Sequence, residues 1–161
     1  MNFEFKVDKE NKNLNIIRGF NFDRELVWKC YTQKEYLEQW FAPKPLVAKT
    51  KSMDFSEDGY WIYAMVDPDG TEYWGRTDYL KIQAMEFYTA LDGFSDSEGN
   101  INPEFPQAKW HVNFKKQGKN TIVATLISFD SLEDLEMVIK MGMEEGMKST
   151  LEGLDEILKN I

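Results

Sequence analysis

Apolar and polar residues alternate at Phe3, Phe5 and Val7, the period of a strand that buries one face. A polar, turn-like stretch over residues 8–13 follows, and residues 14–22 read as a second strand, which makes the start of the chain a hairpin. Asp23 stands where a helix N-cap belongs, ahead of Arg24 to Tyr31, and Thr32 with Glu35 has the spacing of a capping box for a second short helix ending at Trp40-Phe41-Ala42-Pro43. Trp28 and Trp40 are expected to be buried anchors of these two helices.

Beyond Lys44-Pro45 the period changes to two. Strands are predicted over 47–55, 60–66, 72–82, 85–91, 107–116 and 120–129. Asp67-Pro68-Asp69-Gly70 joins two of them as a tight turn, because proline presets φ and glycine accepts a positive one. Residues 92–106, rich in Gly, Ser, Asn, Asp and Pro, read as a long loop. Ser131 then caps a helix predicted over 132–160, with Leu132, Leu135, Val138, Ile139, Leu151, Leu154 and Leu158 near helical spacing and acidic residues mostly on the other side. Strands in hairpin succession followed by one amphipathic helix predict an α+β helix-grip fold. It has a curved antiparallel sheet of about six to seven strands, two short helices and one long C-terminal helix.

Composition narrows the classes of function. The length, 161 residues, suits one domain over 1–161. Aromatic residues make up 14%, enough for an aromatic core or an aromatic-walled cavity. The net charge of −9 opposes nucleic acid and anionic membranes, and no stretch is long and apolar enough for a membrane span. With one cysteine, Cys30, and no apolar leader at residues 1–6, a cytoplasmic location is expected.

Several segments resemble a known family. Phe22-Asp23-Arg24-Glu25-Leu26-Val27-Trp28-Lys29 and Leu37-Glu38-Gln39-Trp40-Phe41-Ala42-Pro43 are similar to the opening of START/Bet v 1-like (SRPBCC) proteins. Asp58-Gly59-Tyr60-Trp61, Met141-Gly142-Met143-Glu144-Glu145-Gly146 and Leu151-Glu152-Gly153-Leu154 match the subgroup named for homology to the activator of the heat-shock-protein-90 ATPase, with Asp58 replacing a glycine. The resemblance covers roughly residues 14–161. It implies a helix-grip domain, and members of the family include lipid and hormone carriers, cyclases and co-chaperone domains.

The candidate ligand-binding residues are Trp61, Tyr63, Met65, Phe87, Trp110, Phe114, Met141 and Gly142. Trp61, Tyr63 and Met65 share one strand face, as do Trp110, Val112 and Phe114 on another. Gly142 and Gly146 lie four apart on one helix face, where they either let the backbone pack closely or leave room for a guest. These residues are expected to border a cavity of a few hundred Å3. Arg76 and Asp78 share a side and read as a solvent-face ion pair, or else as an inward polar anchor. His111 is the only histidine and lacks metal-ligand spacing, and the acidic loop from Asp92 lacks the glycine of a calcium loop, so neither a metal nor another cofactor is implied.

The leading expectation is a protein that encloses a small apolar molecule between sheet and C-terminal helix. The alternative is a co-chaperone-like module, with a chaperone as partner. A third is a cyclase-like or hydrolytic enzyme, for which no acid–base pair of recognisable spacing stands out. Catalytic residues are not assigned, and the chain is expected as a monomer or homodimer.

Overall fold

A computed structural model describes residues 2–161. One sheet contains eight strands: β1 (Phe3–Asp8), β2 (Asn13–Phe20), β3 (Val47–Met53), β4 (Tyr60–Val66), β5 (Glu72–Gln83), β6 (Phe87–Phe94), β7 (Ala108–Gln117) and β8 (Asn120–Ser128). All neighbours are antiparallel, in the order β1-β2-β8-β7-β6-β5-β4-β3. The strand count thus exceeds the six to seven expected. From β3 to β8 the sheet is a meander of hairpins. Only the β2–β8 pair joins distant segments, with Asn13 opposite Ser128 and Phe20 opposite Thr121. Register slips occur between Thr50 and Ser52 and between Tyr79 and Ile82, where bulges add twist to the β3–β6 half of this curved sheet.

Four helices complete the chain: α1 (Arg24–Thr32), α2 (Lys34–Trp40), α3 (Leu132–Lys140) and α4 (Met143–Lys159). Asp23 holds the N-cap position of α1 without a side-chain cap bond. The capping box predicted for α2 does not form. Its N-cap is Gln33, and the Thr32 hydroxyl instead donates back to the Trp28 carbonyl at 2.9 Å. Ser131 does cap α3, accepting from the Asp134 N–H at 3.1 Å.

The single helix expected over 132–160 is two helices. Gly142 adopts φ +90°, a left-handed conformation that a helix interior cannot hold. The Met141 and Gly142 N–H groups close the last turn of α3 on the Met137 and Ile139 carbonyls, and the Gly142 carbonyl opens α4 by accepting from Gly146 N–H. Glycine is used here because it takes this backbone geometry without a steric cost.

Directly paired residues share a sheet face, so the registers sort every strand position. The concave face carries Leu14, Ile16, Arg18 and Phe20 from β2, Val123 and Ile127 from β8, and Val112 and Phe114 from β7. Against them lie α1, α2 and the C-terminal half of α4, through Val27, Leu37, Trp40, Leu151, Leu154 and Leu158. This half is sealed, with most of these side chains at 0–3% exposure. The inner positions of β4 to β7 differ: Met65, Thr77, Tyr88, Asp92 and Trp110 all keep accessible surface although they face the interior.

Candidate functional site

Asp92 is the one charged side chain among the inward positions of β4 to β7. It stands opposite Thr77 on β5 and Ala108 on β7. Its Oδ1 accepts from the Tyr63 hydroxyl at 3.4 Å and the Thr77 hydroxyl at 3.3 Å, both long for hydrogen bonds. No side chain donates to its Oδ2. Burial pushes the carboxyl up to about 7, although hydrogen bonds from Thr77, Tyr63 and the Gly93 N–H pull the other way. The hydroxyls of Tyr63, Tyr79 and Tyr88 are raised by burial first and by the Asp92 charge in addition.

The three tyrosines near this carboxyl belong to a network of aromatic rings. Trp61 and Tyr63 stack at 4.0 Å, and the Phe41 ring stands edge-on to both, at 4.9 and 5.4 Å. Gly75, beneath Tyr63, allows the approach: a Cβ there would lie 2.6 Å from the ring. Phe55 meets Tyr79 at 4.7 Å, Tyr88 at 5.6 Å and Trp28 at 5.8 Å, each edge-to-face, and Trp28 also meets Phe114 at 4.9 Å. The hydroxyls of Tyr79 and Tyr88 make no hydrogen bond within the protein, yet neither is sealed. Among the described residues, Trp110 Nε1 is the only sealed side-chain polar atom without a partner. The hydroxyl oxygens of Tyr79 and Tyr88 therefore keep a little accessible surface, although Tyr79 as a whole is only 3% exposed.

Of the eight residues singled out from sequence, Trp61, Tyr63, Met65, Trp110 and Phe114 point to the concave face. Phe87 does not. It pairs with Asn113 and lies on the opposite face, where its ring stacks on exposed His111 at 5.1 Å. Met141 is 52% exposed at the break between α3 and α4, and Gly142 is exposed beside it. A Cβ on Gly142 or Gly146 would touch nothing within 4 Å, so neither glycine serves close backbone packing. The eight residues consequently do not border one enclosed chamber.

Tyr79 and Tyr88 carry hydroxyls that need a partner if they face inward, and their facing is open from sequence alone; Asp92 and Thr77 carry no such signal. Asp92 opens a stretch rich in turn residues, which made it read as the first loop acid. Continuing the alternation Tyr88, Ala90, Asp92 by one step would have placed it on β6.

The remaining candidates are structural. Arg76 and Asp78 pair with each other at 2.9 Å on the outer face, where the guanidinium also covers the Tyr60 ring. Burial raises the Cys30 thiol to about 11, which leaves it an unreactive neutral group. Asp96 accepts from Glu98, Asn100 and the Asn100 amide, as turn chemistry requires. Two surface concavities, of about 480 and 450 Å3, run beside α2, the segment entering β3, and α4. They share Lys44, Ser149 and Gly153, and none of the eight predicted residues lines either. No helix among the described residues is long and apolar enough to cross a membrane.

Comparison with known proteins agrees with this architecture. A solved structure of an Arthrobacter aurescens protein is 28% identical, covering 98% of this chain and 92% of its own, with a TM-score of 0.92. One from Staphylococcus epidermidis is 26% identical over 96% and 94%, TM-score 0.85. A Mycobacterium smegmatis protein is 25% identical over 98% and 97%, TM-score 0.88. No curated protein matches the sequence. The family described as Activator of Hsp90 ATPase homolog 1-like protein matches residues 21–159, nearly the whole chain, and the chain belongs to that family.

Proposed function

We propose that this protein binds a small, largely apolar molecule between the concave face of β4 to β7 and the α3–α4 elbow. The carrying observation is the contrast between the two halves of one face. The β2–β8 half is sealed, whereas on the other half Met65, Thr77, Tyr88, Asp92 and Trp110 keep some accessible surface among buried Trp61, Tyr63 and Tyr79, and the Tyr79 and Tyr88 hydroxyls have no partner in the protein. An aromatic wall with a few convergent polar groups is the usual composition of a small-molecule site. On that elbow Val138, Ile139, Met143 and Met147 are apolar, partly buried and packed against the core, and thioethers adapt to guests of different shape.

Titration with the neutral fluorescent probe N-phenyl-1-naphthylamine tests this reading. Saturable binding should shift the amide signals of Thr77, Tyr79, Tyr88 and Asp92 and the indole N–H of Trp110. Shifts confined to residues 35–48, along the α2 groove, would defeat it and favour a surface that docks a protein such as a chaperone.

A further inference from the structure

The charge and the rings of the hollow together specify more than apolarity. Among the inward positions of β4 to β7, Asp92 is the one group ionisable near neutral pH. No lysine or arginine comes within 4 Å of Asp92. Arg18 is the one cation on the concave face, and it belongs to the sealed half, on β2, where it bonds the Gly19 carbonyl and lies over the Phe20 ring at 4.8 Å. A buried carboxylate without a counter-ion is unfavourable, and its own protein supplies only neutral donors, the long bonds from the Tyr63 and Thr77 hydroxyls and the Gly93 N–H. The Tyr63 hydroxyl bonds it, the Tyr79 and Tyr88 hydroxyls lie close enough to feel its charge, and Trp110 stands diagonally across on β7. Aromatic faces beside a lone carboxylate are a standard recipe for holding an organic ammonium, and the net charge of −9 draws cations toward the protein as a whole.

Resting on the hollow proposed above, we infer that its preferred guest is an organic cation, a compact apolar body whose ammonium group pairs with Asp92 among the tyrosine rings. The ammonium donates to Asp92 Oδ2, and the tyrosine hydroxyls accept its remaining hydrogens. A carboxylate guest, such as a fatty acid, meets like charge here with no cation to receive it.

Three probes that share one ring system separate the possibilities: 2-naphthylmethylamine, 2-naphthylmethanol and 2-naphthoate, titrated at about pH 8, where Asp92 is ionised. The amine should bind about tenfold tighter than the alcohol, and the naphthoate about tenfold weaker than it. Asp92→Asn should bring amine and alcohol to within about twofold. Wild-type protein at about pH 5 should do the same without any substitution, because Asp92 is then protonated. The groups facing Asp92 are Tyr63 from β4, Thr77 and Tyr79 from β5, Tyr88 from β6 and Trp110 from β7. Phe41 packs on the Tyr63 ring and Phe55 on those of Tyr79 and Tyr88, and none of these groups titrates between these values. If all three probes bind alike and shift the hollow's signals, the cation preference is wrong and the binding site stands. A preference for the amine that survives both Asp92→Asn and low pH would also overturn it, by assigning the effect to surface acidity. If no probe perturbs the hollow, both readings fall.

Discussion

At the scale of single residues, Asp92 is the position where structure and stability disagree. Its carboxyl titrates near 7 in the folded protein and near 4 in an unfolded chain. Between those values the unfolded chain has already released the proton and the folded one has not, so rising pH favours unfolding through this window. The stability that a protonated Asp92 provides is present below about pH 4 and gone above about pH 7. Asp92→Asn should therefore be more stable than wild type at about pH 8, by on the order of 1–3 kcal/mol, and equal to it at about pH 4. Denaturant titrations of the two proteins at both values decide this, and a variant less stable at the higher pH would mean the carboxylate is better solvated than its surroundings indicate. The cationic guest proposed above would offset such a cost. The sequence concealed it because an aspartate between Leu91 and Gly93 reads as a turn, and only the pairing with Thr77 reveals an inward side chain.

Among elements, strands were more legible than helices. Period two places Trp61, Tyr63 and Met65 together whatever the sheet does next, because successive side chains must alternate. The same rule left Phe87 ambiguous, since Phe87, Thr89 and Leu91 look as buriable as Tyr88, Ala90 and Asp92, and only the register with β7 separates them. The helix break was illegible for another reason. The apolar stripe on either side of Met141–Gly142 keeps helical spacing, and a left-handed residue leaves no mark on periodicity. Its two glycines should now answer oppositely to substitution. Gly146 lies inside α4 with open space around it, so Gly146→Ala should stabilise the fold by about 0.5–1 kcal/mol. Gly142→Ala must hold φ +90° and should cost about 1–2 kcal/mol. Thermal unfolding of the pair checks both signs, and equal responses would mean that α3 and α4 are one continuous helix in solution.

For the whole molecule, the concave face divides into a sealed part built on β2, β8 and the Val112–Phe114 end of β7 and the part, between β4–β6 and the α3–α4 elbow, proposed above to take a guest. Hydrogen exchange should follow that division, slowest in the amides of β2, β7 and β8 and fastest in α3 and the first two turns of α4, where no side chain beyond Leu135 is fully buried. Uniform protection across both halves would remove the basis for an opening on that side. The sealed half also has a particular history in each new chain. From β3 to β8 every strand finds its neighbour within one hairpin, so pairing can follow synthesis. β2 has no such neighbour on its inner edge; it waits for β8, and the bond from the Thr121 hydroxyl to the Phe22 carbonyl spans 99 residues. While a ribosome is still delivering that distance, the nascent chain carries the strand-edge of β2 exposed, with Leu14, Ile16 and Phe20 uncovered, and long-range pairings of this kind are slow and open to wrong partners. The most tightly closed part of the finished protein is thus the last to close, and it is during translation, rather than afterwards, that this chain most needs protection from its neighbours.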